Sequence, residues 1–105
     1  MINFLEETKQ EMKRNGLKYT DIIYIGDKQG DYTCSWEEFQ QLANFEYDDG
    51  FGWQEIKLDL QIIFTKHRAF IRQEYDGSEW WEFITTAIPD GRGYKLRSLK
   101  RDEGI

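Results

Sequence analysis

Residues 74 to 83 hold the side chains best suited to acid–base chemistry or binding, because four carboxylates and several large aromatic rings share ten positions. Two carboxylates at a suitable separation can act as the acid and base of glycoside hydrolysis. Any acid-rich hairpin supplies such pairs at several spacings, so turn formation and surface solubility explain these acids better. The chain also lacks a glycine-rich phosphate loop, a G-x-S-x-G elbow and a G-x-G-x-x-G fingerprint. We therefore expect no enzymatic activity.

Metal and thiol chemistry have little support in the sequence. Glu46, Asp48, Asp49 and Glu55 are hard oxygen ligands, yet the alternating pattern of a twelve-residue calcium loop is missing around them. An acidic solvated loop is the favoured interpretation. The presence of one cysteine and one histidine in the whole chain argues against a zinc site. Cys34 is interpreted as a structural cysteine, and no cofactor is expected.

Composition indicates one small domain. The chain has 105 residues, of which 39% are hydrophobic and 16% aromatic, enough for a single modest core in which aromatic rings supply much of the buried area. We expect an α+β domain over residues 1–91 and a basic C-terminal tail over residues 92–105. No apolar run approaches the roughly 18 residues of a membrane span, and the N-terminus lacks a secretory pattern. A cytoplasmic location is predicted.

The net charge of −6 is unevenly distributed. Residues 1–91 hold 18 acids and 9 bases, whereas residues 92–101 hold five bases and no acid. An acidic body repels nucleic acid and favours basic protein partners. The charge therefore predicts no direct nucleic-acid binding.

Hydrophobic spacing predicts six main elements. Apolar positions at helical intervals indicate a helix over residues 3–14, and a short apolar run indicates a strand over residues 21–26. Ser35 and Glu38 have the spacing of a capping box, which predicts a second helix from Trp36. From Ile56 onward the apolar period becomes two, which predicts three strands in a meander, with turns at residues 65–68 and near Asp76-Gly77. The expected fold is two helices packed on one face of a four-stranded antiparallel sheet, in the order α-β-α-β-β-β.

The register of the last hairpin has two alternatives. A two-residue loop at Asp76-Gly77 places Glu74 opposite Glu79, a like-charge pair that costs roughly 0.2 to 1 kcal/mol. A three-residue loop over residues 76–78 places Arg72 opposite Glu82 instead. We favour the three-residue loop on this ground. In either register Trp80 and Trp81 point to opposite faces, so one of them is expected near the surface.

A resemblance gives an indication of origin. The string Glu74 to Phe83, EYDGSEWWEF, resembles one that recurs in a family of small proteins carried by phages and prophages of Gram-positive bacteria. The helix of residues 36–44 followed by residues 46–52 is similar to the middle section of that family. The resemblance covers about residues 3–90 and departs from the family in the tail. It implies a small phage-type protein and transfers no catalytic residues, because the family has no assigned function.

These observations predict a non-enzymatic binding protein of phage type. Its acidic surface would imitate a phosphate backbone and block a basic, nucleic-acid-handling host protein, such as a CRISPR effector or a restriction enzyme. Trp53 and Trp80 are the predicted apolar anchors. The predicted charged contacts are Glu37, Glu38, Glu46, Asp48, Asp49, Glu74, Asp76 and Glu79. The alternative is a small structural or regulatory module that acts through homo-oligomerisation. The expected state of the chain is a monomer or a homodimer, in the cytoplasm of a bacterial host.

Overall fold

The structure, a computed structural model, describes residues 1–48, 50 and 56–85. The described elements are β1 (Ile2–Asn3), α1 (Phe4–Arg14), a 3-10 turn (Tyr19–Asp21), β2 (Ile22–Asp27), α2 (Trp36–Leu42), β3 (Glu46–Tyr47), β4 (Leu60–Phe64), β5 (Arg68–Tyr75) and β6 (Ser78–Thr85). The predicted α+β class is confirmed. The predicted order omitted β1 and β3, whose two residues each carry no periodic signal. The proposed boundary between a domain and a basic tail at residues 91 and 92 lies outside the described residues.

Helix α1 forms where the sequence predicts it. The Asn3 side chain accepts a hydrogen bond from the backbone N–H of Glu6 at 3.0 Å, which caps the first turn. The helix buries one stripe, made of Phe4, Leu5, Thr8 and Met12. It ends where Gly16 adopts a φ of +68°, a conformation that glycine reaches without steric cost. These local signals explain why the predicted and observed ends agree closely.

Helix α2 begins with the predicted capping box. The Ser35 hydroxyl accepts from the Glu38 N–H at 3.1 Å, and the Glu38 carboxylate accepts from the Ser35 N–H at 2.9 Å. The helix is short, and its buried side chain is Phe39, with Ala43 buried just beyond its end. Because an isolated helix of seven residues is unstable in water, the capping box contributes much of the local stability of α2.

Four antiparallel strands form the main sheet in the order β2-β4-β5-β6. A row of apolar residues crosses it, with Ile25 beside Ile62, Ile62 beside Phe70 and Phe70 beside Phe83. Buried residues of both helices join this row in one hydrophobic core. The prediction that both helices cover one face is therefore consistent with the packing. Strand β4 begins at Leu60 rather than at the predicted Ile56.

The predicted register of the β5–β6 hairpin is wrong. Asp76 and Gly77 alone form the loop, with φ of +51° and +88°, and Glu74 lies opposite Glu79. Positive φ at both central residues is the geometry of a type I′ turn, which Asp-Gly favours strongly. Arg72 consequently lies opposite Trp81 rather than Glu82. The like-charge pair is tolerated because other groups neutralise Glu79 in the core, as described below.

Candidate functional site

The two adjacent tryptophans of β6 lie on opposite faces of the sheet, as predicted. Trp81 is 4% exposed and belongs to the core, whereas Trp80 is 42% exposed. The Trp81 indole N–H donates to the Thr8 hydroxyl at 2.8 Å, which ties the inner face of β6 to α1. Trp80 thus remains accessible on a strand that is rigidly held from behind.

Polar and acidic side chains surround Trp80 on the outer face of the hairpin. Gln73 lies directly opposite Trp80, and its side-chain amide donates to the Glu82 carboxylate at 2.7 Å. At the tip, Asp76 is exposed. Glu74 is half-buried and accepts from the Gly77 N–H at 2.8 Å; because it lies opposite Glu79, strand alternation places it on the inner face rather than beside Trp80. We call Asp76, Trp80 and Glu82 the hairpin surface.

Glu79 does not belong to this surface, which corrects the sequence prediction. It is 4% exposed, and it lies 3.9 Å from the guanidinium of Arg72. Its carboxylate also accepts from the backbone N–H of Ile56 at 2.9 Å. The reason is strand alternation: Glu79 shares the inner face with Trp81, two residues away. Glu79 is therefore a structural carboxylate rather than a contact for a partner.

A buried arginine holds this inner face together, and the sequence prediction missed its role. Arg72 is 2% exposed, and it donates to the Glu7 carboxylate at 3.0 Å and to the Tyr47 hydroxyl at 3.1 Å. Tyr47 in turn donates to Glu7. We call Glu7, Tyr47, Arg72 and Glu79 the arginine cluster. The sequence did carry a signal for this role. Arg72 is two residues after Phe70, so the two side chains share one face of β5, and Phe70 marks that face as the core face.

Aromatic rings complete the surroundings of Arg72. Its guanidinium carbon lies 5.0 Å from the centre of the Phe4 ring and 4.9 Å from that of Trp81, within cation–π range. Burial, followed by the hydrogen bond to Glu7, raises the pKa of the Tyr47 hydroxyl. Tyr47 is therefore a neutral donor at physiological pH. Its enclosure among rings and ion pairs indicates a structural role and not a catalytic one.

The acids predicted on α2 are exposed. Glu37 and Glu38 both face solvent, and the hydrogen bond from the Ser35 backbone lowers the pKa of Glu38. Glu38 is committed to capping, whereas Glu37 makes no hydrogen bond or ion pair within the described residues. Of the two, Glu37 is thus the carboxylate available for an external cation.

The acids predicted after α2 fall on β3 and the residues that follow it. Glu46 is exposed on β3, opposite Asn3. Asp48 is half-buried, and its carboxylate accepts from the Gly50 N–H at 3.1 Å. Asp49 and Trp53 lie outside the described residues and stay predictions.

Five exposed carboxylates consequently lie on α2, on β3 and on the β5–β6 hairpin rather than on one contiguous stretch of chain. Among the described residues, no lysine or arginine lies within 4 Å of any of the five. They are Glu37, Glu38, Glu46, Asp76 and Glu82. Except for Glu38, which caps α2, their charge is available to an external cation.

Features expected of a catalytic or metal centre were also sought. No group of three or more histidine, cysteine, aspartate or glutamate side chains among residues 1–48, 50 and 56–85 could hold a metal ion. Cys34 is half-buried, and burial raises the pKa of its thiol, which makes it a poorer nucleophile. Cys34 lies in the wall of a cleft of about 450 Å³ beside Asp27 and Leu60. The Asp27 carboxylate is occupied in shaping the loop, since it accepts from the N–H groups of Gly30 at 2.7 Å and Asp31 at 2.9 Å.

Comparisons with known proteins give no family assignment. Protein-family models, curated proteins and solved structures were all searched, and no match to the chain was found. Among the described residues, no helix has the length and apolar character needed to cross a membrane.

Proposed function

We propose that this protein is a non-enzymatic binding protein of phage type. Its acidic surface blocks a basic, nucleic-acid-handling host protein, for which a CRISPR effector or a restriction enzyme is the expected class. The observation that carries the proposal is Trp80, a 42% exposed indole whose strand also presents Glu82, a carboxylate with no described cation within 4 Å.

An exposed tryptophan on a rigid strand suits a protein interface. Tryptophan is enriched among interface residues whose truncation costs 2 kcal/mol or more. The strand that carries Trp80 is attached to α1 by the hydrogen bond from Trp81 to Thr8, so little backbone ordering of this strand is needed on binding. Trp80 would supply the affinity of the interface.

The exposed carboxylates would supply association rate and specificity. Interfaces between a negative and a positive surface associate faster at low salt, because long-range attraction steers the encounter. The charge of the described part of the chain is negative, with 15 acids and 9 bases. A nucleic-acid-handling protein presents the complementary positive groove.

Binding to a purified CRISPR effector and a purified restriction enzyme, measured by biolayer interferometry with nuclease activity in parallel, tests the proposal. Trp80→Ala is expected to weaken binding by about 30-fold, the equivalent of 2 kcal/mol, mainly through faster dissociation. Glu82→Lys, on the same face as Trp80, is expected to slow association at about 0.05 M salt and to have less effect at about 0.2 M.

Asp59→Lys is the matched control, because Asp59 is also exposed and the change in net charge is the same. If the control slows association as much as Glu82→Lys, net charge rather than the hairpin surface is responsible. If the wild-type chain binds neither the CRISPR effector nor the restriction enzyme at low salt, and inhibits neither nuclease, the proposal fails for this class of partner.

Self-association is a second candidate, favoured by the edge of the sheet. Within the described strands, β6 pairs only with β5 and presents eight residues at the sheet edge. Such an edge can pair with a second copy. Light scattering across a concentration series distinguishes the two candidates, since a strict monomer excludes self-association.

A further inference from the structure

A groove with aromatic walls lies between α1, the 3-10 turn and the start of α2. Two adjoining hollows, of about 330 and 550 Å³, share Tyr19, Trp36 and Gln40 in their walls. The larger hollow also has Ser35 and Glu37 in its wall. The groove therefore combines two aromatic rings with a carboxylate, on elements separate from the hairpin surface.

The Trp36 ring and the backbone that carries Tyr19 are held in place before any ligand arrives. Trp36 stacks on the buried Phe39, with ring centres 5.6 Å apart and planes 14° apart. Tyr19 is 63% exposed and begins a 3-10 turn that is closed by a 2.9 Å hydrogen bond from the Lys18 N–H to the Asp21 carboxylate. Such preorganisation lowers the entropy lost on binding.

Charge at the Glu37 end selects a cation. No lysine or arginine of the described chain lies within 4 Å of the Glu37 carboxylate, so its charge is not neutralised internally. The opposite end of the groove has Lys9 and Lys13 in its wall, and Lys9 is 3.8 Å from Glu6. A cationic ligand is thus directed to the Glu37 end.

We propose that this groove binds an arginine side chain of the basic partner, with the guanidinium against the Tyr19 and Trp36 rings and hydrogen-bonded to Glu37. A guanidinium is planar, stacks on aromatic faces and donates in a fork that fits a carboxylate. Lysine offers a compact, strongly hydrated charge that fits this combination less well. The inference rests on the proposed function and names the group that the partner presents.

The test uses the full chain and two short peptides, acetyl-Gly-Arg-Gly-amide and its twin with citrulline in place of arginine. Citrulline keeps the shape of the side chain and removes the charge. The indole N–H signals of the tryptophans are followed by NMR and assigned with Trp36→Phe. The arginine peptide is expected to shift the Trp36 signal saturably and to bind about tenfold more tightly than the citrulline peptide.

Variants separate the contributions. Glu37→Gln is expected to weaken the arginine peptide by about two- to fivefold, the effect of losing one exposed ion pair. Tyr19→Ala is expected to weaken it by a similar factor through loss of a cation–π contact. Glu46→Gln, an exposed carboxylate on another element, is the matched control and should change nothing.

The outcomes separate this inference from the proposed function. Equal shifts with arginine and citrulline, no saturable shift at Trp36, or stronger binding of a glutamate peptide would overturn the arginine assignment. Trp80→Ala should leave the peptide shifts unchanged, since Trp80 is not in the groove. A failure of the peptide test would leave the nuclease-binding experiment with Trp80→Ala to decide the proposed function separately.

Discussion

Replacing Arg72 by methionine is the strongest perturbation that the structure suggests. Methionine has a similar length and fills the space, yet it removes the positive charge that two carboxylates share. The Glu79 side chain is fully buried and loses its counter-charge out of reach of bulk water, whereas the Glu7 side chain is 11% exposed and loses its counter-charge at the edge of the core. Breaking a buried ion pair from one side costs about 3 to 5 kcal/mol, which is what we expect for Arg72→Met.

The cost should be recovered by removing the two stranded charges. In the triple variant Arg72→Met, Glu7→Gln and Glu79→Gln, no buried charge remains in the cluster. Glutamine keeps a carbonyl oxygen to accept from the Ile56 N–H and the Tyr47 hydroxyl. Since neutral replacements of whole buried ion clusters are often neutral or stabilising, most of the loss should be regained.

Urea unfolding followed by tryptophan fluorescence measures each free energy of unfolding. Arg68→Met is the matched control, because Arg68 is on the same strand, is partly exposed and lies 4.0 Å from Asp21. It should cost about 1 kcal/mol or less. A loss below about 1 kcal/mol for Arg72→Met, or a triple variant no more stable than the single, would refute the reasoning. If Arg72→Met does not fold, recovery of a cooperative transition in the triple variant gives the same answer.

Three further predictions concern a closely packed glycine of β2 and the cap of α2. A Cβ at Gly26 would lie 2.2 Å from the Tyr32 carbonyl oxygen, so Gly26→Ala should cost about 1 to 3 kcal/mol, whereas Gly50→Ala, with open space around it, should have little effect in the same urea assay. Ser35→Ala should cost about 0.5 to 2 kcal/mol by loss of the cap. Because the Ser35 backbone holds the pKa of Glu38 below its usual value, stabilisation by this carboxylate is present above about pH 4.3 and is lost as the pH falls through the lowered pKa. The free energy of unfolding of the wild type and of Glu38→Gln, measured by urea titration at a series of pH values from neutral to below about pH 4.3, tests this prediction. The wild type should lose stability relative to the variant as the pH falls.

The helices were predictable because their signals are local. The Ser35–Glu38 capping box and the Gly16 stop act within a few residues, so the sequence alone determines the helix ends. The opposite faces of Trp80 and Trp81 follow from strand geometry in the same way. Short-range rules were sufficient for these features.

The errors arose where distant residues decide the outcome. The hairpin register was misjudged because the Glu74–Glu79 repulsion was weighed without Arg72, whose guanidinium lies near Glu79 in the folded core. Treating Glu79 as a surface acid was the same error. Strand pairing between β1 and β3 was missed because it joins residues more than 40 positions apart through two residue pairs. None of these contacts leaves a periodic mark on the sequence.

The arginine cluster also bears on how fast the protein unfolds. Its members come from α1, β3, β5 and β6. Glu7 and Arg72, which are hydrogen-bonded to each other, are 65 positions apart in the sequence. We expect contacts at such separation to form after the folding transition state, because closing the intervening chain costs entropy before the contact stabilises it. A contact absent from the transition state slows escape from the native state and leaves the folding rate nearly unchanged. The arginine cluster should therefore lower the unfolding rate, which prolongs the lifetime of the folded protein against proteases and against forced unfolding.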